Sequence, residues 1–246
     1  MIKFVIPSFK RYHELKLKSL TFLNSHKILN KNIFIFCRND DESLSLYVSL
    51  REEGYNVITT DVKGIGLTHN LITEYFEENE FIVELDDDLI DIVDKERNSI
   101  ESLSDKLDEI LSIMRHENIS YGGLYQVANN LFMSACQEYT TDLRYLLGIF
   151  RIRRICKDIV LETNYSEDFE NSILHYIRDG KILKCNWLCG KTKNYAVGGC
   201  NGDGRNIETE KNDKVFLSEK YPQYCRLFQR KNEHWDLRLK HYKSKK

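Results

Sequence analysis

The chain has 246 residues, 41% hydrophobic and 30% charged, with a formal net charge of −2. That composition describes a soluble globular protein of one large α/β domain or two small ones, and bulk charge does not announce a nucleic-acid binder. No apolar run is long enough to span a bilayer, the N-terminal MIKFVIPSFKR shows no signal peptide, and seven cysteines point to reduced thiols in a cytosolic compartment.

In chain order, Lys3–Pro7 reads as a strand ended by proline, which cannot donate to a ladder. Leu15, Leu17, Leu20, Phe22 and Leu23 mark a helix from Tyr12 to about Ser25 with one buried face. Asn32–Cys37 is a second strand. Asp40, Asp41 and Glu42 open a helix that Gly54 stops. Asn56–Thr60 is a third strand, followed by Lys63-Gly64-Ile65-Gly66-Leu67-Thr68-His69-Asn70, a glycine loop feeding the helix Leu67–Phe76. This loop is neither a dinucleotide fingerprint nor a Walker loop. It offers backbone N–H groups at a helix N-terminus beside Lys63, where an anion can sit, or it is simply a tight turn.

Phe81–Leu85 is the fourth strand and delivers Asp86, Asp87 and Asp88. Three adjacent carboxylates repel each other, and a hard divalent cation, Mn²⁺ or Mg²⁺, relieves that repulsion. Alternation along an extended backbone puts Asp86 and Asp88 on one side, which makes them the expected metal ligands. The bland alternative is an acidic turn capping the next helix. The pattern β-α-β-α-β-α-β is a Rossmann-like half, and the carboxyl end of a central strand is where open α/β sheets bind ligands.

Beyond it, Ser99–Asn118 is a long amphipathic helix. Tyr121–Met133 and Arg144–Ile155 read as strands and turns rich in aromatics and Arg. Glu167–Ile177 is a helix closed by Asp179-Gly180, with Ser166 or a neighbouring acid as cap. Lys181–Leu188 is a strand, Gly198–Arg205 a glycine-rich loop and Ile207–Tyr221 a helix. Cys185, Cys189 and Cys200 lack a second close pair and read as inert thiols rather than metal ligands. His175 and His234 read as structural, with completion of the metal site as the alternative. From Lys220 to Lys246 there are nine Lys/Arg against two acids, an excess of seven. Such a stretch binds phosphates or is an ordinary solvated terminus.

Several stretches together resemble the TET/JBP-associated glycosyltransferases of phages and large viruses. They are Val5–Arg11, Lys63–Gly66 with Asn70, Leu85–Asp88, Thr140–Arg144, Glu167–Glu170, Tyr195 with Gly198 and Gly199, and Arg205. The similarity runs from residue 2 to about residue 240. Two departures stand out: His69-Asn70 where Arg-Asn is usual, and Leu131 after Asn130 where proline is usual. The resemblance implies a single GT-A-like α/β domain over residues 1–246. Residues 1–98 would form the nucleotide-sugar half, and residues 99–246 an acceptor half on a mixed sheet. It also implies a nucleotide-sugar donor, a UDP-sugar, and an acceptor hydroxyl on a modified base of double-stranded DNA, such as 5-hydroxymethylcytosine or 5-hydroxymethyluracil. The location expected is the cytoplasm, that of the host for a viral protein, with no membrane partner.

On this reading Pro7, Ser8, Arg11, Lys63, Gly64, Gly66, Asn70, Asp86 and Asp87 bind the nucleotide-sugar. Asp86 and Asp88 hold the cation, which stabilises the departing diphosphate. Asp168, with Glu167 next, takes the acceptor proton. Arg151, Arg153, Arg205 and Arg230 face the DNA, and alternation puts Arg151 and Arg153 on one face of their strand, Arg154 on the other. A glycosyltransferase acting on glycan, lipid or protein, a nucleotidyltransferase and a catalytically silent nucleotide-binding module remain alternatives.

Overall fold

The computed structural model describes residues 2–192, 203–231 and 234–240. Four strands form the parallel half: β1 (Lys3–Pro7), β2 (Ile33–Arg38), β3 (Asn56–Thr60) and β4 (Phe81–Leu85). The remaining strands are β5 (Leu89–Asp94), β6 (Tyr121–Tyr125), β7 (Tyr139–Thr140), β8 (Phe150–Arg154) and β9 (Leu183–Thr192), then β10 (Cys225–Gln229) and β11 (Trp235–Leu239). A nine-stranded sheet runs β3-β2-β1-β4-β8-β6-β9-β5, with β7 also on β9, while β10 and β11 form a separate hairpin. β8 is antiparallel to β4, which turns the parallel half into a mixed sheet without a break. β5, from the first 98 residues, pairs with β9 of the second half, so the two halves share one sheet.

The helices follow from local sequence. α1 (Tyr12–Leu15) continues through a π-helical turn, Lys16–Leu20, into α2 (Thr21–Ser25). α3 is Leu44–Ser49 and α4 is Ile65–Tyr75. α5 (Leu103–Glu117) starts where the Ser102 hydroxyl accepts from the Asp105 N–H and buries Leu103, Leu107, Ile110, Leu111 and Met114, one stripe at helical spacing. α6 (Asn130–Ser134) is a short helix inside the stretch expected to be strands and turns. α7 (Glu167–Asp179) ends at Gly180 in the left-handed region, which glycine adopts without a Cβ penalty. Ser166 precedes α7 but makes no side-chain cap bond; its carbonyl accepts from the Phe169 and Glu170 N–H groups. α8 (Ile207–Lys220) opens on a capping box between Asn206 and Thr209.

The main core fills the space between the sheet and the α1–α2 and α5 helices, with Phe4, Ile6, Leu23, Ile33, Ile35 and Val83 fully buried. A second cluster joins Leu143, Leu146 and Ile173 to Leu217, Cys225, Leu237 and Leu239, seating α8 and the hairpin against the acceptor half. The basic stretch after Lys220 is thus folded into a hairpin as far as Leu239 rather than forming a solvated terminus. Lys243, Lys245 and Lys246 lie outside the described residues. No described helix is long and apolar enough to cross a membrane.

Candidate functional site

The carboxyl end of β4 opens into a cleft of about 1230 Å³. The Asp86 backbone is pinned there: its N–H donates to the Ile149 carbonyl at 3.2 Å, and its own carbonyl accepts from the Ser19 hydroxyl at 2.7 Å. The chain turns at Asp87-Asp88 instead of staying extended, so the alternation expected from a strand fails. Arg11 forks across both, 2.9 Å to an Asp87 oxygen and 2.7 Å to an Asp88 oxygen. Ser8 donates to the other Asp87 oxygen at 2.7 Å and lies 2.8 Å from the Tyr47 hydroxyl. Pro7, Ser8, Arg11 and all three aspartates line the cleft.

Asp86 differs from its neighbours. Among the described residues its carboxylate has no hydrogen-bond or ion-pair partner. Burial pushes its pKa up to about 6 against the pull of Arg151, with Asp168 and Asp88 adding repulsion. An orphaned carboxylate beside a second one is what a hard cation would relieve. Among the described residues no cluster of three His, Cys, Asp or Glu forms a complete cage. Mg²⁺-type ions need only one or two carboxylates when phosphate oxygens and water complete the shell. Asp86 and Asp88 therefore fit a cation shared with a phosphorylated ligand.

The facing wall comes from α7 and β8. Asp168 accepts from Arg151 at 2.9 Å on one oxygen, and from the Tyr145 hydroxyl and the Gly148 N–H, both at 3.2 Å, on the other. Glu167, in the same cleft, is pushed up to about 8 by burial and by Asp168, against Arg151. Arg151 itself stays a cation, held by Asp168, Glu84 and their neighbours in spite of burial.

Beneath this wall lies a charged cluster that sequence reasoning missed. Glu84 is 1% exposed, in the middle of the apolar strand β4. Antiparallel register sets it opposite Arg151. It pairs with Arg151 Nε at 3.3 Å and with Arg153, and Arg153 also donates to the Thr73 hydroxyl at 2.6 Å. His69 Nε2 accepts from Arg151 at 2.8 Å while Nδ1 lies 3.4 Å from Glu84. Burial and Arg151 lower the His69 pKa, so the neutral imidazole fits this pattern, with its proton on Nδ1. Although burial opposes it, Arg153, His69 and Arg151 hold the Glu84 carboxyl below the usual range. A lone Glu in FIVEL and the run RIRR were the signals for this cluster, and each needs the other to be read.

The cluster corrects two expectations. Arg151 and Arg153 do share a face, but both are 3% exposed and committed to buried acids, so neither is placed to meet DNA phosphates. The glycine loop requires a second set of corrections. Gly64, at φ 98°, lines the cleft, and its N–H donates to Asp203 at 3.0 Å. Lys63 instead points outward, 3.4 Å from Asp40. Gly66 is glycine because a Cβ there would run into the Thr163 carbonyl. Asn70 clamps α4 to the following chain, donating to the Leu161 carbonyl at 2.9 Å and accepting from its N–H at 2.8 Å. Lys63, Gly66 and Asn70 thus serve surface, packing and clamp roles and, unlike Gly64, do not line the cleft.

Arg205 and Arg230 line the cleft with acids already attached, Glu210 at 2.5 Å for Arg205 and Asp236 for Arg230. The hairpin brings His234, Trp235 and Arg238 to the same cleft. His175 is buried, stacked on Tyr121 and 2.7 Å from the Ser120 hydroxyl. Cys185 and Cys189 are buried and free. Tyr195, Gly198, Gly199, Cys200 and Gly202 lie outside the described residues.

A parallel β3-β2-β1-β4 half, an antiparallel β8 beside it and an acidic turn at the end of β4 make this a GT-A fold. The chain is similar to S. aureus TarS (residues 1–349) in complex with UDP-GlcNAc. The TM-score is 0.54 at 14% identity, over 88% of this chain and 67% of that one. It is also similar to glucosyl-3-phosphoglycerate synthase from Mycobacterium tuberculosis in complex with Mn²⁺, UDP and glucosyl-3-phosphoglycerate. There the TM-score is 0.56 at 11% identity, over 98% and 87%. A mycobacterial protein gives a TM-score of 0.57 at 10% identity, over 97% and 83%. At these identities the likeness is one of fold. No protein-family model and no curated protein matches the sequence.

Proposed function

We propose that the chain is a metal-dependent glycosyltransferase. It would move a sugar from a nucleotide-sugar, a UDP-sugar, to a hydroxyl on a modified DNA base such as 5-hydroxymethylcytosine or 5-hydroxymethyluracil. The observation that carries the transferase reading is the meeting, in one cleft, of the Asp86 carboxylate, without a partner among the described residues, and the triply held Asp168. Support for the donor comes from two proteins of the same fold, one holding UDP-GlcNAc and the other UDP with Mn²⁺. Support for the DNA acceptor is the sequence resemblance to the TET/JBP-associated family.

In this account Asp86 and Asp88 hold the divalent ion, Mn²⁺ or Mg²⁺, which supplies Lewis-acid stabilisation of charge on the departing diphosphate. Arg11 fixes the turn that presents them. Asp168 accepts the proton of the attacking hydroxyl in an inverting displacement, oriented by Arg151, Tyr145 and Gly148. Pro7, Ser8 and Gly64 border the donor end.

The test is mass spectrometry of nucleosides after incubation with hydroxymethylated duplex DNA, Mn²⁺ and a panel of nucleotide-sugars. The proposal expects a hydroxymethylpyrimidine nucleoside heavier by one sugar residue. Nucleotide release with no change to any nucleoside would move the acceptor to a glycan, lipid or protein. No release from any donor would leave a silent nucleotide-binding module.

A further inference from the structure

Lys184 sits in β9, in register with Gly123 of β6 and Thr140 of β7. Its ammonium lies 4.3 Å from the centroid of the Tyr125 ring. With Gln126, Arg144 and Tyr145 it lines the cleft. This corner adjoins the Asp168 wall: Gln126 donates to the Tyr145 carbonyl at 2.9 Å, and the Tyr145 hydroxyl donates to Asp168.

The charge balance at this corner is incomplete. Arg144 is held by Asp142, at 3.0 Å through Nε and 2.8 Å through a terminal nitrogen. Lys184 has no ion pair and no side-chain hydrogen-bond acceptor among the described residues; the Asp142 carboxylate acts on it only beyond ion-pair distance and is already committed to Arg144. Outside them the only acidic side chain is Glu233. Burial, and then the neighbouring Arg144 charge, lower the Lys184 pKa. A half-buried ammonium beside another cation is costly unless an anion arrives. The Tyr125 face offsets only part of that cost. Chain elsewhere in the cleft shows the contrast: Arg205, Lys214 and Arg230 each carry an acid partner.

We propose that Lys184, with Arg144 beside it and Tyr125 against it, forms a subsite for a phosphate group on the acceptor. The inference rests on the transferase reading only in assigning that phosphate to the acceptor. The phosphate is either a phosphodiester of a nucleic-acid backbone or a phosphomonoester on a small acceptor. Both present the same oxygens to an ammonium and a guanidinium.

Competitive labelling of the intact wild-type protein with an acylating reagent tests this without any transfer reaction. Labelling rates at Lys184 and at the exposed Lys106 are read by peptide mass spectrometry. The additions are inorganic phosphate, glycerol phosphate, UDP and a 12-base-pair duplex, against chloride at matched ionic strength. Phosphate at severalfold its dissociation constant should slow Lys184 at least about threefold by simple occupancy and leave Lys106 unchanged. Arg144→Gln should weaken that protection. Protection by duplex at far lower phosphate concentration than glycerol phosphate assigns the backbone source, and the reverse assigns the small acceptor. Equal Lys184 labelling under all additions overturns the subsite. Protection strongest with UDP overturns its assignment to the acceptor. Metal-dependent nucleotide release, measured in parallel, reports separately on the transferase reading.

Discussion

Replacing Arg151 with lysine would keep a positive charge and remove the fork. The guanidinium ties three groups together: His69 at 2.8 Å, Asp168 at 2.9 Å and Glu84 at 3.3 Å. One ammonium cannot hold all three in that geometry. Each bond to a charged group is worth about 1.5–3 kcal/mol net, so losing one or two costs roughly 2–5 kcal/mol. Against a typical domain stability of about 5–15 kcal/mol the variant still folds, with a lowered urea midpoint. Arg153 stays on Glu84, so that buried carboxylate is not left alone. Methionine at 151 removes the charge as well and should cost about 3–5 kcal/mol, the range for breaking a buried pair. Arg151 also lowers the pKa of Asp86 and of Glu167. Without its charge both carboxyls rise, and the acid limb of kcat/KM for nucleotide release moves to higher pH in the methionine variant. Lysine should restore most of that limb but not the stability. Urea unfolding and a pH–rate profile check both parts. An unfolding free energy within about 0.5 kcal/mol of wild type for both variants, the range of an ordinary surface change, would refute the reasoning.

Three further outcomes are expected. Asp168→Asn should lower turnover at least ~10²-fold, the usual contribution of a general base, with donor binding by calorimetry nearly unchanged; a parallel loss of donor affinity would assign Asp168 to structure. The pH dependence of stability has a definite sign. Asp86, at about 6, and Glu167, at about 8, keep protons in the fold that they release near ~4 when unfolded. In that window these two groups bind more protons in the native state and make it lose stability as pH rises. The buried His69 and His175, whose pKa values are lowered, act the other way below ~6.5. The carboxyl contribution is therefore read as the difference between the metal-free wild type and an Asp86→Asn, Glu167→Gln double variant. Mn²⁺ should raise Tm more at pH 8 than at pH 5.5, because it displaces the Asp86 proton, and equal shifts would contradict the assignment. Gly66→Ala should cost about 1–3 kcal/mol by overpacking against Thr163, measured by urea unfolding, with donor binding retained in the folded fraction.

The parallel half was legible because its strands are short β-branched or aromatic runs bounded by turn residues, and β1, β3 and β4 fall where those runs predict. β5 was not, since Asp91 and Asp94 break its apolar pattern directly after the acidic turn. The C-terminal hairpin was hidden by its charge. Arg226 and Arg238 face each other across it while Leu237 and Leu239 are buried. In the site, Asp86, Asp87 and Asp88 were marked by residue type and position, while Glu167 and Asp168 read as helix-capping acids until the family resemblance singled them out; all five line one cleft. What one sequence could not supply was cross-strand register. Glu84 opposite Arg151 turns an apparent basic patch into a buried network, and a turn at Asp87-Asp88 replaces the extended alternation. The roles of Gly66 and Asn70 depend on Thr163 and Leu161, far away along the chain.

The central claim is that the cleft at the end of β4 works on a nucleotide-sugar through a cation held by Asp86. Nucleotide release from a panel of nucleotide-sugars, followed with and without Mn²⁺ in wild type and Asp86→Asn, tests it most directly. Because the Asp86 carboxylate has no partner among the described residues, Asp86→Asn should unfold at the same or higher urea concentration than wild type at pH 8. The account predicts Mn²⁺-dependent release from at least one donor in wild type and its loss in this well-folded variant. Release that is equal in the two proteins, or absent from every donor in wild type, would contradict it.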